Sequence, residues 1–169
     1  MANAELTSLA YTVLGYINDE DYLSLSRVAH PELGIVFSPY ATIALTTNKC
    51  FMPDQIAAFS TDTTLYVWGV YNGSGEPIKS TPGEYFDEFI FARDYAGSSI
   101  IGVNKIVRSG NALENITDVF PDIEFVDFHI SNGERDSNGD YDWVSLRFGF
   151  EVYEGSLRLT LIQHSCWTA

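Results

Sequence analysis

The chain has 169 residues, with 9 basic and 23 acidic side chains, a net charge of −14 and a pI near 4.3. That field repels phosphate backbones and anionic membrane surfaces, and no basic stripe offsets it, so nucleic acid is excluded as a partner. Hydrophobic residues at 46% and aromatics at 14% can fill a real core, which excludes intrinsic disorder, and the length suits one domain spanning residues 1–169.

Leu6, Leu9, Ala10, Val13, Leu14 and Ile17 recur at helical spacing and predict a first helix over residues 5–17. Asn18 to Asp21 breaks it. Tyr22, Leu23, Leu25 and Val28 form the stripe of a second, shorter helix, which His30-Pro31 stops. His30 is placed to bond the last helix carbonyls. Residues 34–40 read as a short extended segment and residues 41–47 as a second strand. Pro53 opens a brief helix. Residues 63–71 form a strand ended by the turn Asn72-Gly73-Ser74-Gly75. Thr81-Pro82-Gly83-Glu84 has the cap, proline and glutamate of a helix start.

The last third is more regular. Residues 100–107 and 123–130 read as strands. Residues 141–167 read as a hairpin turning at Glu154-Gly155. In its first strand Val144, Leu146, Phe148, Phe150 and Val152 share one face. Trp143, Ser145, Arg147, Gly149 and Glu151 share the other. In its second strand Leu157, Leu159 and Leu161 alternate with Arg158 and Thr160. One apolar and one polar face predicts an antiparallel sheet covered on one side. The chain is therefore α+β, with a mostly antiparallel sheet.

No run of about 18 apolar residues exists, so no membrane span is expected. The first residues lack the basic start and apolar stretch of a signal peptide, although a leader removed beforehand keeps export open. Cys50 and Cys166 have no CxxC spacing, which argues against zinc or a redox motif and leaves one disulfide or two free thiols. Asn72-Gly-Ser and Asn115-Ile-Thr are glycosylation sequons only in a eukaryotic secretory setting.

Two N-terminal helices, short strands and helices, then long antiparallel strands resemble the nuclear-transport-factor-2-like fold. That fold is a cystatin-like α+β cone with two helices packed on a strongly curved sheet. Several phrases also resemble an uncharacterised domain of exported bacterial proteins and lipoproteins. They are the stretch from His30-Pro31-Glu32-Leu33-Gly34 to Phe37-Ser38-Pro39-Tyr40, Trp68-Gly69, Gly73-Ser74-Gly75-Glu76-Pro77, Gly102-Val103-Asn104, Val126-Asp127-Phe128-His129 and Trp167-Thr168. The resemblance covers most of the chain. It implies an extracellular or envelope location, with the cytoplasm still open, and no reaction.

Three groups of residues are candidates for chemistry. Asp127 and His129, two apart on a strand, point to one face, where a carboxylate can orient an imidazole for general-base work. His164 on the last strand and Arg147 on its neighbour could join them, and Asp127, His129 and His164 are the catalytic candidates. Asp136, Asn138, Asp140 and Asp142 alternate like the first half of a calcium loop. Tyr141 replaces the loop's glycine and Arg147 its bidentate glutamate, so the match stops at half a loop, and no cofactor other than calcium is expected. Tyr40, Trp68 and Trp167 are the candidates for lining a ligand pocket at the mouth of a cone. These residues support three readings: a non-catalytic domain binding a small molecule or protein partner, an enzyme of hydrolase, isomerase or dehydratase type, and a structural or homodimerisation module.

Overall fold

The stripe Leu6, Ala10, Val13, Leu14 and Ile17 is wholly buried in α1 (Ala2–Asn18). Asp21 starts α2 (Tyr22–Val28), its carboxylate accepting the Ser24 N–H at 3.1 Å and satisfying a donor that a helix start leaves open. The computed structural model describes residues 2–98, 100–135 and 141–167. After α2 come β1 (Ile35–Ser38), β2 (Lys49–Phe51), α3 (Pro53–Ala57), β3 (Tyr66–Val70) and β4 (Pro77–Ser80). Next, α4 (Pro82–Tyr85) runs into a π-helical turn, Phe86–Ile90. The rest is α5 (Tyr95–Ser98), β5 (Ile100–Val103), α6 (Ile116–Val119), β6 (Glu124–Arg135), β7 (Tyr141–Tyr153) and β8 (Ser156–Cys166).

Six strands form one sheet in the order β2-β1-β8-β7-β6-β5, and β3 and β4 form a separate ribbon. All neighbours are antiparallel except β1 and β8, which run parallel with Phe37 opposite Ile162. Helices α1–α5 and the ribbon cover one face. There Leu14, Leu25, Ile56, Trp68, Tyr85 and Phe86 meet Phe37, Phe128, Leu146, Phe148 and Phe150. Phe37, at the middle of a fully buried strand, lies 5.4 to 6.1 Å from the rings of Phe51, Phe59, Trp68, Tyr85 and Phe86.

The predicted start at Thr81 is present as a reciprocal cap: Thr81 Oγ1 accepts the Glu84 N–H at 3.2 Å, and Glu84 Oε1 accepts the Thr81 N–H at 2.9 Å. Other expectations require correction. Residues 41–47 are turns, and the strand comes later as β2. Side chains have taken the backbone groups a strand would use. Asn115 both donates to the Ile43 carbonyl and accepts its N–H, while Asn48 Oδ1 accepts the Ala44 N–H. His30 does not bond the helix carbonyls; its Nδ1 accepts the Glu32 and Leu33 N–H groups at 3.1 and 3.0 Å.

The largest correction concerns the polar side of the hairpin. It is not solvated. Ser145, Arg147 and Gln163 are 0% exposed, because the irregular segment 104–123, carrying α6, lies across that face. Ile116 of this strap packs there with Ile123, Phe125, Leu161 and Val36. Val152, expected in the apolar face, is exposed. A bulge also reverses the side-chain order of β8: Gly149 faces Leu161 and Phe150 faces Leu159, leaving Thr160 extra. Leu159 therefore enters the helix-side core and Leu161 the strap-side core. Cys50 on β2 and Cys166 on β8 are free thiols.

Candidate functional site

Under the strap, strand register assembles rows of polar side chains. Asp127, Arg147 and Gln163 stand side by side on β6, β7 and β8. Arg147 donates from Nε to Asp127 Oδ2 at 3.2 Å and from Nη1 to Gln163 Oε1 at 3.2 Å. Its two terminal nitrogens grip Glu114 of the strap at 2.6 and 3.1 Å. Asp127 Oδ2 also accepts the Val107 N–H at 3.0 Å, and Gln163 Nε2 donates to the Tyr40 and Ala41 carbonyls. These bonds tie the strap and the 40–41 turn to the sheet. Asp127 and Arg147 are thus held as a fastening, with only Asp127 Oδ1 left without a hydrogen bond.

The next row holds His129, Ser145 and Ser165. His129 Nδ1 lies 2.9 Å from Ser145 Oγ, and burial pushes this imidazole below its usual pKa, opposed by the Asp127 charge. Beyond it, Trp143 and Trp167 flank Gly110, where a Cβ would stand 3.3 and 3.5 Å from the two indoles. Trp167 is half-buried in that contact.

Asp127 and His129 therefore share a face, but His164 does not join them. It pairs with Leu146 on the helix side of the sheet, with Phe89 5.4 Å and Tyr40 6.4 Å away, ring to ring. Its Nδ1 donates to the Pro39 carbonyl at 2.7 Å. Burial pushes its pKa from 6.5 down to about 4, against the opposing pull of that carbonyl. The folded protein keeps His164 neutral where the unfolded chain already protonates, so the unfolded state gains the proton first as pH falls. The contribution to stability is complete above pH 6.5, drains between 6.5 and about 4, and is absent below. The difference corresponds to about 3 kcal/mol. In His164→Gln, which keeps a donor for Pro39, urea midpoints should fall less steeply over that window than in the parent. Equal slopes would remove His164 from the account.

Trp68, expected to line a pocket, is 0% exposed in the aromatic core. It stacks on Tyr85 with centroids 4.0 Å apart, and its indole N–H donates to the Ser80 carbonyl at 2.8 Å. Of the calcium candidates, Asp136, Asn138 and Asp140 lie outside the described residues. Asp142 pairs with Arg93 at 2.8 Å. Among the described residues no three His, Cys, Asp or Glu gather as metal ligands.

The open concavity is elsewhere. A groove of about 620 Å³ runs between β2 and β3, with Thr47, Asn48, Lys49 and Cys50 on one wall and Val67 and Val70 on the other. A hollow of about 200 Å³ adjoins it through Thr47, Asn48 and Val70 and is bounded by Tyr40 and Asn72. Tyr40, whose phenol burial pushes up, is a sequence-expected pocket residue that does line this hollow. Gly69 keeps the groove open at φ +148°, a conformation that L side chains rarely adopt, and a Cβ there would stand 3.1 Å from Asn48 Nδ2. Lys49 Nζ lies 5.2 Å from the Tyr66 ring centroid and 5.5 Å from that of Phe51. Another hollow, about 340 Å³, sits between Ser8 and Thr12 of α1 and Ser156 of β8. Sequence reasoning missed the β2–β3 groove because its walls are residues about 20 positions apart that the fold alone brings together.

No protein-family model matches the chain, and no curated protein matches it. Among solved structures, it is similar to Aln2 from a Streptomyces species at 10% identity and a TM-score of 0.41, over 95% of this chain and 87% of that one. It is also similar to a "Putative Isomerase" from Bacillus subtilis at 14% identity and a TM-score of 0.32, over 96% and 86%.

Proposed function

We propose that the chain is a non-catalytic binding domain of nuclear-transport-factor-2-like architecture, with the β2–β3 groove as its ligand site. The observation that carries this reading is the contrast between the two places. Under the strap, Asp127 and Arg147 are spent on fastening backbone and loop. The groove is open, of a volume suited to a ligand, and joins apolar walls to amide, hydroxyl and ammonium groups. The element order supports the fold assignment, and the resemblance to exported bacterial proteins supports an envelope or extracellular setting. A homodimer built on the Trp143, Ser145 and Arg147 face is disfavoured, because the strap occupies it.

A fragment screen read by amide chemical shifts should move residues 46–50 and 67–70 and leave 127–129 and 145 still. The converse pattern would overturn the proposal. A second reading, an enzyme, draws on the His129–Ser145 pair at 2.9 Å with Asp127 two residues away. It requires a serine-directed phosphonate to label Ser145, and an unlabelled Ser145 counts against it.

A further inference from the structure

The hollow of about 200 Å³ beside the groove has an irregular wall, residues 39–44, that is nonetheless fixed. Side chains from elsewhere take its carbonyls in turn. His164 Nδ1 donates to Pro39 at 2.7 Å, and Ser38 Oγ to Tyr40 at 2.7 Å. Gln163 Nε2 donates to Tyr40 and Ala41 at 2.9 and 3.0 Å, and Asn115 Nδ2 to Ile43 at 2.9 Å. Thr42 Oγ1 in turn donates to the Leu113 carbonyl of the strap at 2.7 Å. A wall held this way keeps one shape without being helix or strand, and a preformed wall spares a ligand the cost of ordering it.

The polar groups left over say what the hollow takes. Asn48 Oδ1 accepts the Ala44 N–H at 2.8 Å, which fixes the amide and turns Nδ2 away from that bond as a donor. Among the described residues no hydrogen bond takes that Nδ2, and Gly69, lacking a Cβ that would stand 3.1 Å from it, leaves it room. The Tyr40 hydroxyl accepts the Asn72 N–H, so its own hydrogen is available. The exposed Asn72 amide, also in the lining, can donate or accept. Pro39, Ala44 and Val70 supply apolar surface. Among the described residues no charged side chain lines this hollow, in a chain with 23 acidic and 9 basic residues. In the adjoining groove the charged residue is Lys49, whose ammonium already lies over the Phe51 and Tyr66 rings. A cation would find no carboxylate in either lining, and an anion would enter against a net charge of −14 with no counter-ion in the hollow.

We infer that the hollow binds the carbonyl end of a small uncharged amide or lactam. The carbonyl oxygen accepts from Asn48 Nδ2 and the Tyr40 hydroxyl, and the amide N–H is met by the Asn72 side chain. The apolar remainder lies along Val70 into the β2–β3 groove, since Thr47, Asn48 and Val70 line both concavities. The fixed donors select an acceptor, and the missing charges select neutrality. The inference rests on the reading of the groove as the ligand site.

The test titrates the full chain with three probes of one skeleton, followed by amide chemical shifts at neutral pH. They are N-benzylacetamide, which is neutral, N-ethylbenzylammonium, a cation without the carbonyl, and 3-phenylpropanoate, an anion. N-Benzylacetamide should saturate shifts at residues 40–48, 70 and 72, and the two ions should bind about tenfold more weakly or less, the scale of one lost hydrogen bond. Asn48→Asp keeps the acceptor for the Ala44 N–H and removes the Nδ2 donor. It should weaken the amide probe about tenfold and strengthen the cation, with shifts outside the hollow unchanged. Tyr40→Phe should weaken the amide probe several-fold. Ions that bind as tightly as the amide would overturn the assignment of a neutral ligand. Unchanged amide binding in both variants would overturn the assigned donors, and saturable shifts confined to other residues would overturn the site. If no probe binds while fragments still map to residues 46–50 and 67–70, the amide inference alone fails. If the fragments miss the groove too, the binding-site proposal fails with it.

Discussion

Arg147→Met is expected to destabilise the protein by about 3–5 kcal/mol, because it strips a buried charge pair of one partner. Arg147 is completely buried, and its side chain serves Asp127, Glu114 and Gln163 at once. Without the guanidinium, the Asp127 carboxylate is left at 0% exposure with one backbone N–H, and Glu114, 13% exposed, loses its ion-pair partner. A loss of that size is a third or more of the stability of many domains, which totals about 5–15 kcal/mol. Urea denaturation followed by circular dichroism measures it. Glu114→Gln keeps its shape and should cost less, since Glu114 reaches solvent. The triple variant Arg147→Met/Asp127→Asn/Glu114→Gln should recover much of the loss, because no buried charge remains unpaired. A cost below about 1 kcal/mol for Arg147→Met would mean that the strap relaxes and water reaches Asp127.

Trp68→Ala is expected to cost about 3–5 kcal/mol, at the upper end of that range for large-to-small core changes. Trp68 has no solvent exposure, stacks on Tyr85 and has the rings of Phe37, Phe51, Phe59 and Tyr66 within 6.4 Å. Those neighbours belong to β1, β2, β3 and the segments around α3 and α4, so a void there has no single element that can collapse into it. For a chain of this length the corresponding fall in midpoint is about 10 °C or more. Trp68→Phe should lose less, mainly the stranding of the Ser80 carbonyl, which is about 1–3 kcal/mol for a buried unsatisfied group. Trp143 and Trp167 remain as fluorescent reporters in both variants. A loss under about 1.5 kcal/mol for Trp68→Ala would show that the cluster opens to solvent, in which case Trp68 would return as a pocket residue.

The two variants probe opposite faces of one sheet, and the faces differed in how far the sequence revealed them. On the helix side, periodicity sufficed. The stripe of α1, the Thr81–Glu84 cap and the run Val144, Leu146, Phe148 and Phe150 all depend on local spacing, and all stand where spacing puts them. On the strap side, the alternation of Ser145 and Arg147 with apolar residues was plain, yet it suggested solvent. Burial of such residues depends on whether something distant supplies their hydrogen bonds. Glu114 lies 33 residues from Arg147, and nothing in the local sequence joins them.

The candidate site was legible to a similar degree. Period two on β6 correctly put Asp127 and His129 on one face, and strand register added Ser145 beside His129. His164 went wrong for one reason. Counting from Leu157, an unbroken alternation puts residue 164 on the same side as Arg158 and Thr160. The extra residue at Thr160 shifts the parity, so Ile162 and His164 turn to the helices while Gln163 and Ser165 turn to the strap. A bulge is a choice made by the paired strand and by packing, here Leu161 against Gly149 and Ile123, not by the residue that bulges.

By itself the sequence determined the acidic charge, the α+β class, the first two helices, the capped start at Thr81 and the final hairpin, because each depends on composition or on neighbours within a few positions. The tertiary structure alone decided that the polar face is buried, which side His164 faces, and that β2 and β3 leave a groove between Asn48–Cys50 and Val67–Val70. These depend on strand order, register and distant hydrogen bonds, where the free energy of one arrangement over another is set by partners that no local pattern names.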